Sequence, residues 1–120
     1  MAFLKVVSPT REYLDLEQQV MRRIIDWQTV VSPDIEREFS VSSFGTRELS
    51  GTGFFSHFVV LTDPPLIAPP SFEISVDSLL QSGEAAGFTL FVRNGRLECL
   101  EGYTYGDTPW PDRPVIGEWP

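Results

Sequence analysis

AGFTLFVRNGRLECLEGYTYGDTPWP, from Ala86 to Pro111, carries the strongest local fold signal in the chain. An apolar run, Phe88 to Val92, leads through Arg93 to Asn94-Gly95, and a second run follows from Leu97 to Tyr105. Asn-Gly between two β-rich runs predicts a hairpin, because a type I′ turn needs φ > 0 at both central residues. A two-residue turn sets Arg93 opposite Arg96, Val92 opposite Leu97, Leu90 opposite Cys99 and Phe88 opposite Glu101. Alternation then assigns Phe88, Leu90, Val92, Leu97 and Cys99 to the core, and Thr89, Phe91, Glu98 and Leu100 to the other face. Glu101, Tyr103 and Tyr105 follow Cys99 onto the core face, where an unpaired carboxylate is costly. Glu101 is therefore expected at the sheet's rim or on a specific donor, unless a bulge at Gly102 re-aims the residues beyond it.

Upstream of the hairpin, Ser8-Pro9 has the form of a helix start. Apolar residues then recur at Tyr13, Leu16, Val20, Ile24, Trp27 and Val31, with Met21 and Ile25 widening the stripe. Steps of three and four place them on one helix face, and Pro33 sets the helix end. Ser32 to Arg37 is read as at most one further turn. Phe39 to Phe44 alternates as a strand that Thr46 to Leu49 continues past Gly45. The turn cluster Ser50 to Gly53 pairs it with Phe54 to Leu61, a strand apolar on both faces. Prolines at 64, 65, 69 and 70 mark a stiff crossover, and Phe72, Ile74 and Val76 alternate with Glu73, Ser75 and Asp77 as a further strand. The tail, with Trp110 and Trp119, is expected to lie along the body. The predicted fold is α+β, a single domain over residues 1–120. One long N-terminal amphipathic helix packs on a mostly antiparallel sheet of about five strands, closed by a Pro-rich C-terminal strap.

Composition excludes several functions. A net charge of −8 argues against a nucleic-acid binder and permits a basic protein partner. Cys99 is the only cysteine, so no internal disulfide forms. The first residues lack the basic and apolar regions of a secretory leader, and a reducing cytoplasm is the expected location. No apolar run spans a bilayer. There is no P-loop, no dinucleotide fingerprint and no His or Cys pair at metal-ligand spacing, so neither cofactor nor metal is expected. The predicted state is a monomer or weak homodimer.

Glu98, Glu101 and Asp107, interleaved with Tyr103, Tyr105 and Trp110, form an acidic-aromatic set of the kind interfaces use. The competing reading is that these aromatics pack the strap onto the sheet. Cys99 is expected to be core and inert. His57, the only histidine, reads as a sheet-face residue. An enzyme or ligand-binding alternative would use His57 and Glu101 in a pocket between helix and sheet.

The string formed by Gly95, Leu97, Leu100, Glu101, Gly102, Tyr103, Tyr105, Gly106, Asp107, Trp110 and Pro111 resembles the C-terminal signature of small uncharacterised bacterial proteins. Some of these look like immunity proteins of polymorphic toxin systems. The resemblance covers about a quarter of the chain and implies a non-catalytic acidic binding protein that neutralises a cognate toxin by occlusion.

Overall fold

The computed structural model describes residues 5–7, 10–27, 30–106 and 108–120, with residues 5–7 and 12 described by backbone alone. In chain order the elements are β1 (Lys5–Val7), α1 (Arg11–Trp27), α2 (Ser32–Ser40), β2 (Ser42–Ser50) and β3 (Gly53–Val60). They continue with β4 (Phe72–Leu80), β5 (Ala85–Arg93), β6 (Arg96–Thr104) and β7 (Ile116–Glu118). The strands form one curled antiparallel sheet in the order β1-β2-β3-β6-β5-β4-β7. The proline-rich link after β3 carries the chain past β6 and β5 to β4.

This corrects the α+β expectation. The protein is mostly β, with two short helices and seven strands instead of one long helix and about five strands. The apolar stripe concealed the helix break, because Val31 and Ile35 continue its spacing after α1 has ended at Trp27. Pro33 does not stop a helix here; it sits in the first turn of α2, where its missing N–H has no partner to lose. The Ser32 hydroxyl donates to the Ile25 carbonyl (2.5 Å) and ties the two helices together. Helix α2 consumes Phe39 and Ser40, so β2 begins only at Ser42. The tail is more than a strap: Ile116–Glu118 pairs with Leu79 and Leu80 of β4.

The hairpin turn forms as expected, with Asn94 at φ 53° and Gly95 at φ 75° and Arg93 opposite Arg96. The register then departs from simple alternation. Val92 pairs with Leu97, but Phe91 pairs with Cys99, so Glu98 is an extra residue in β6. Such a bulge reverses the facing of everything beyond it. Leu100 turns into the core, fully buried, and Cys99 turns out with Glu101 and Tyr103. The expected facings of Cys99, Leu100 and Glu101 are thereby corrected, and the bulge lies at Glu98 rather than Gly102. Gly102 faces inward, where the Phe54 ring occupies the space a β-carbon would need.

A second bulge lies in β2, where Phe44 pairs with Phe58 and Arg47 with Ser56. The extra residue turns Arg47 inward, 1% exposed, against Glu17 on α1. Arg47 Nη2 donates to Glu17 Oε1 at 2.5 Å, and its Nε donates to Glu17 Oε2 and Ser56 Oγ, both at 3.2 Å. Ser56 also donates to Glu17, and the guanidinium lies 4.3 Å from the Tyr13 ring centroid. Around this group pack Leu16, Val20, Met21 and Ile24 of α1 with Phe54, Phe88, Leu90 and Leu100 of the sheet.

Removing one member of a buried ion pair strands the other charge. Arg47→Met is expected to destabilise the protein by about 3–5 kcal/mol in urea denaturation. Adding Glu17→Leu to it should restore most of that loss; an equal or larger loss in the double variant would show that the pair does not act as a unit.

Candidate functional site

Both helices pack on one face of the sheet, and the bulges decide what the other face carries. Cross-strand register defines its rows. Glu48, Phe55, Glu101, Thr89 and Ser75 form the first. His57, Cys99, Phe91 and Glu73 form the second, and Gly53, Tyr103, Gly87 and Asp77 the third. Among the described residues, no helix covers this face.

Glu98, Glu101, Tyr103 and Tyr105 are therefore brought together, as the sequence pattern suggests. The Tyr103 ring lies over Gly87, which has no side chain to obstruct it, and meets Tyr105 edge-on at 5.7 Å. The Tyr105 hydroxyl donates to Asp77, a bond that raises its pKa. Asp107 lies outside the described residues. Trp110 belongs to the opposite face: its ring packs 5.3 Å from Phe54 and 6.2 Å from Phe88, and its Nε1–H donates to Tyr13 Oη at 2.8 Å. Its role is to hold the tail on the core, as the competing reading had it.

Glu48, Glu73, Asp77, Phe55 and Phe91 escaped the sequence-based site. The polar side of β4 was legible as Glu73, Ser75 and Asp77, yet nothing local showed that it would share a face with Glu101. Among the described residues, the cation on this face is Arg93. Its Nη2 bonds Glu73 at 3.0 Å, and its guanidinium lies 5.3 Å from the Phe91 centroid. Among the described residues, Glu101 has no such partner. Partial burial pushes its carboxyl above the ordinary range, and nearby Glu73 adds to the shift.

Cys99 has a short side chain among long ones, which leaves a hollow of about 270 Å³ lined by Phe55, His57, Phe91, Glu98 and Cys99. His57 Nε2 pairs with Glu48 Oε1. Thiol, imidazole and carboxylate thus occupy one region, as in a thiol hydrolase, but the electrostatics oppose that chemistry. Burial, reinforced by Glu101, Glu98 and Glu48, pushes the Cys99 thiol up to about 12, whereas a nucleophile needs the thiolate. His57 and Glu101 both lie on the face away from the helices, so they do not line a helix–sheet pocket. Among the described residues no group of three His, Cys, Asp or Glu side chains converges to hold a metal ion. Among them, no helix is long and apolar enough to cross a membrane.

Comparison with known proteins returned no matching family model, curated protein or solved structure.

Two outcomes follow from the displaced titrations. Cys99 should react with iodoacetamide at pH 8 at least about tenfold more slowly in the folded protein than in urea, since almost none of it is thiolate. Equal rates would show an accessible, ordinary thiol. For Glu101, a folded pKa above the unfolded one means that the ionised form costs stability. That cost is absent at acid pH, below the unfolded pKa, and develops as pH rises through the folded pKa. Glu101→Gln should thus be more stable than the parent at neutral pH, with the difference vanishing in acid; a constant difference across pH would contradict the assignment.

Proposed function

We propose that this protein is a non-catalytic binding protein that receives a basic protein partner on its helix-free sheet face. The observation carrying this reading is the gathering of Glu48, Glu73, Asp77, Glu98 and Glu101 around Phe55, Phe91, Tyr103 and Tyr105, with Arg93 as the facing cation. Aromatic centres supply contact area and fixed charges at the rim steer a partner of opposite sign. Size agrees. Strands of eight or nine residues are about 30 Å long, and five of them at ~4.8 Å spacing give a face of ~700 Å², close to the ~800 Å² per partner of a standard interface. The string that resembles the signature of small bacterial proteins, some of them like immunity proteins, supplies Glu101, Tyr103 and Tyr105 to this face. An immunity protein that blocks a basic toxin domain by occlusion is the specific form of the proposal.

Calorimetry against the basic product of the adjacent gene tests it. Expected is binding below about 1 μM that weakens between ~50 mM and ~300 mM salt. Glu73→Lys combined with Asp77→Lys should weaken it at least about tenfold. Absence of binding at micromolar concentrations, or binding indifferent to both salt and those substitutions, would sink the proposal.

A further inference from the structure

We infer that the hollow over Cys99 is a receptacle for one arginine side chain projecting from a basic protein partner. The inference rests on the partner-binding reading of this face and adds the chemistry of its anchor.

Shape comes first. At about 270 Å³ and open to solvent, the hollow has room for a guanidinium and part of its stem. Its floor is the thiol of Cys99, 7% exposed, and its walls include the half-buried phenyl rings of Phe55 and Phe91. Charge comes second. Glu98 lines the hollow, and Glu101 and Glu48 lie near enough to act on the Cys99 thiol. Glu48 is engaged by His57, which leaves Glu98 and Glu101 without a described cationic partner. The protein itself displays the recognition chemistry beside the hollow, where Arg93 sits over Phe91 while bonded to Glu73.

Arginine fits better than lysine on two counts. A planar guanidinium stacks on phenyl faces, and its five N–H donors can reach two separate carboxylates at once. A lysine ammonium is a strongly hydrated point charge and loses more by entering a partly apolar hollow. A purely apolar anchor would leave Glu98 and Glu101 with less water and no counter-charge.

The test titrates isotope-labelled protein by NMR with acetyl-Gly-Arg-Gly-amide and with the citrulline peptide, which keeps the shape and loses the charge. Expected are shifts centred on His57, Phe91, Glu98 and Cys99 with a Kd of about 1 mM, at least about tenfold weaker for citrulline. Cys99→Met fills the hollow with net charge unchanged, and Glu98→Gln removes charge with shape unchanged. Each should weaken the arginine response several-fold, with preserved spectral dispersion reporting that the variant is folded. Equal responses to both peptides overturn the inference. So do arginine-specific shifts that spread over the surface and spare the hollow. If the basic partner still binds with its dependence on Glu73 and Asp77 in that case, only the anchor is wrong. If arginine occupies the hollow but no partner binds, the receptacle stands and the partner-binding reading fails.

Discussion

One extra residue in β6 governs both faces of this protein. Because Glu98 is left over between the Val92–Leu97 and Phe91–Cys99 pairs, Leu100 fills the core and Glu101 escapes it. Without the bulge, the same strand would bury a carboxylate and expose a leucine. The irregularity is itself anchored. The backbone N–H of Leu97 donates to Glu38 Oε2 at 2.5 Å, and Arg96 donates to Glu38 Oε1 at 2.9 Å. A fully buried α2 carboxylate is thus neutralised while holding the bulged strand, as buried charge requires. Helix α2 therefore locks the register that determines what the distant face displays.

The β2 bulge works the same way with opposite chemistry. It turns Arg47 in and Glu48 out, so one strand supplies a buried cation to α1 and a half-buried anion to His57. Inside, nearly every polar group has a partner; Arg47 Nη1 and Ser78 Oγ are the exceptions among the described residues. The Arg47–Glu17–Ser56 group is specific in direction, since the fork of a guanidinium fits a carboxylate in few orientations. That directionality fixes how α1 lies across the sheet more tightly than apolar contacts alone would. Burial still raises the Glu17 carboxyl, so its desolvation outweighs the help from Arg47 and Ser56.

Local rules found what is local. The Asn94-Gly95 turn, the α1 stripe from Tyr13 to Ile25 and the alternation of β4 each depend on a few neighbouring residues, and each was legible; Trp27, read as part of that stripe, is exposed. The two bulges were not, because a bulge is a relation between strands. Nothing in Leu97-Glu98-Cys99 alone says which residue lacks a partner. Glu17 left a readable trace, lying four residues from both Tyr13 and Met21 in the middle of the apolar stripe, and such a position calls for a buried counter-charge. The acidic-aromatic site was half legible for the same reason. Residues adjacent in sequence, Glu98 to Tyr105, were seen together, whereas Glu48, Glu73 and Asp77 join them only through pairing. Trp110, near them in sequence, is carried to the other face.

The character of the helix-free face follows from what folding leaves unresolved there. A fold selected for stability alone has no use for Glu101, whose charge is partly desolvated, is opposed by Glu73 and has no hydrogen-bonding partner among the described side chains. Local conflicts of this kind are expected at functional positions, where a residue serves something outside the chain. Catalysis is a poor account of the conflict, because burial, reinforced by Glu101, Glu98 and Glu48, holds Cys99 in its unreactive form. Binding is a better one. A cation placed between these groups would neutralise Glu98 and Glu101 together, and the aromatic walls would exclude water as it did so. The charge that weakens the free protein would then strengthen the complex.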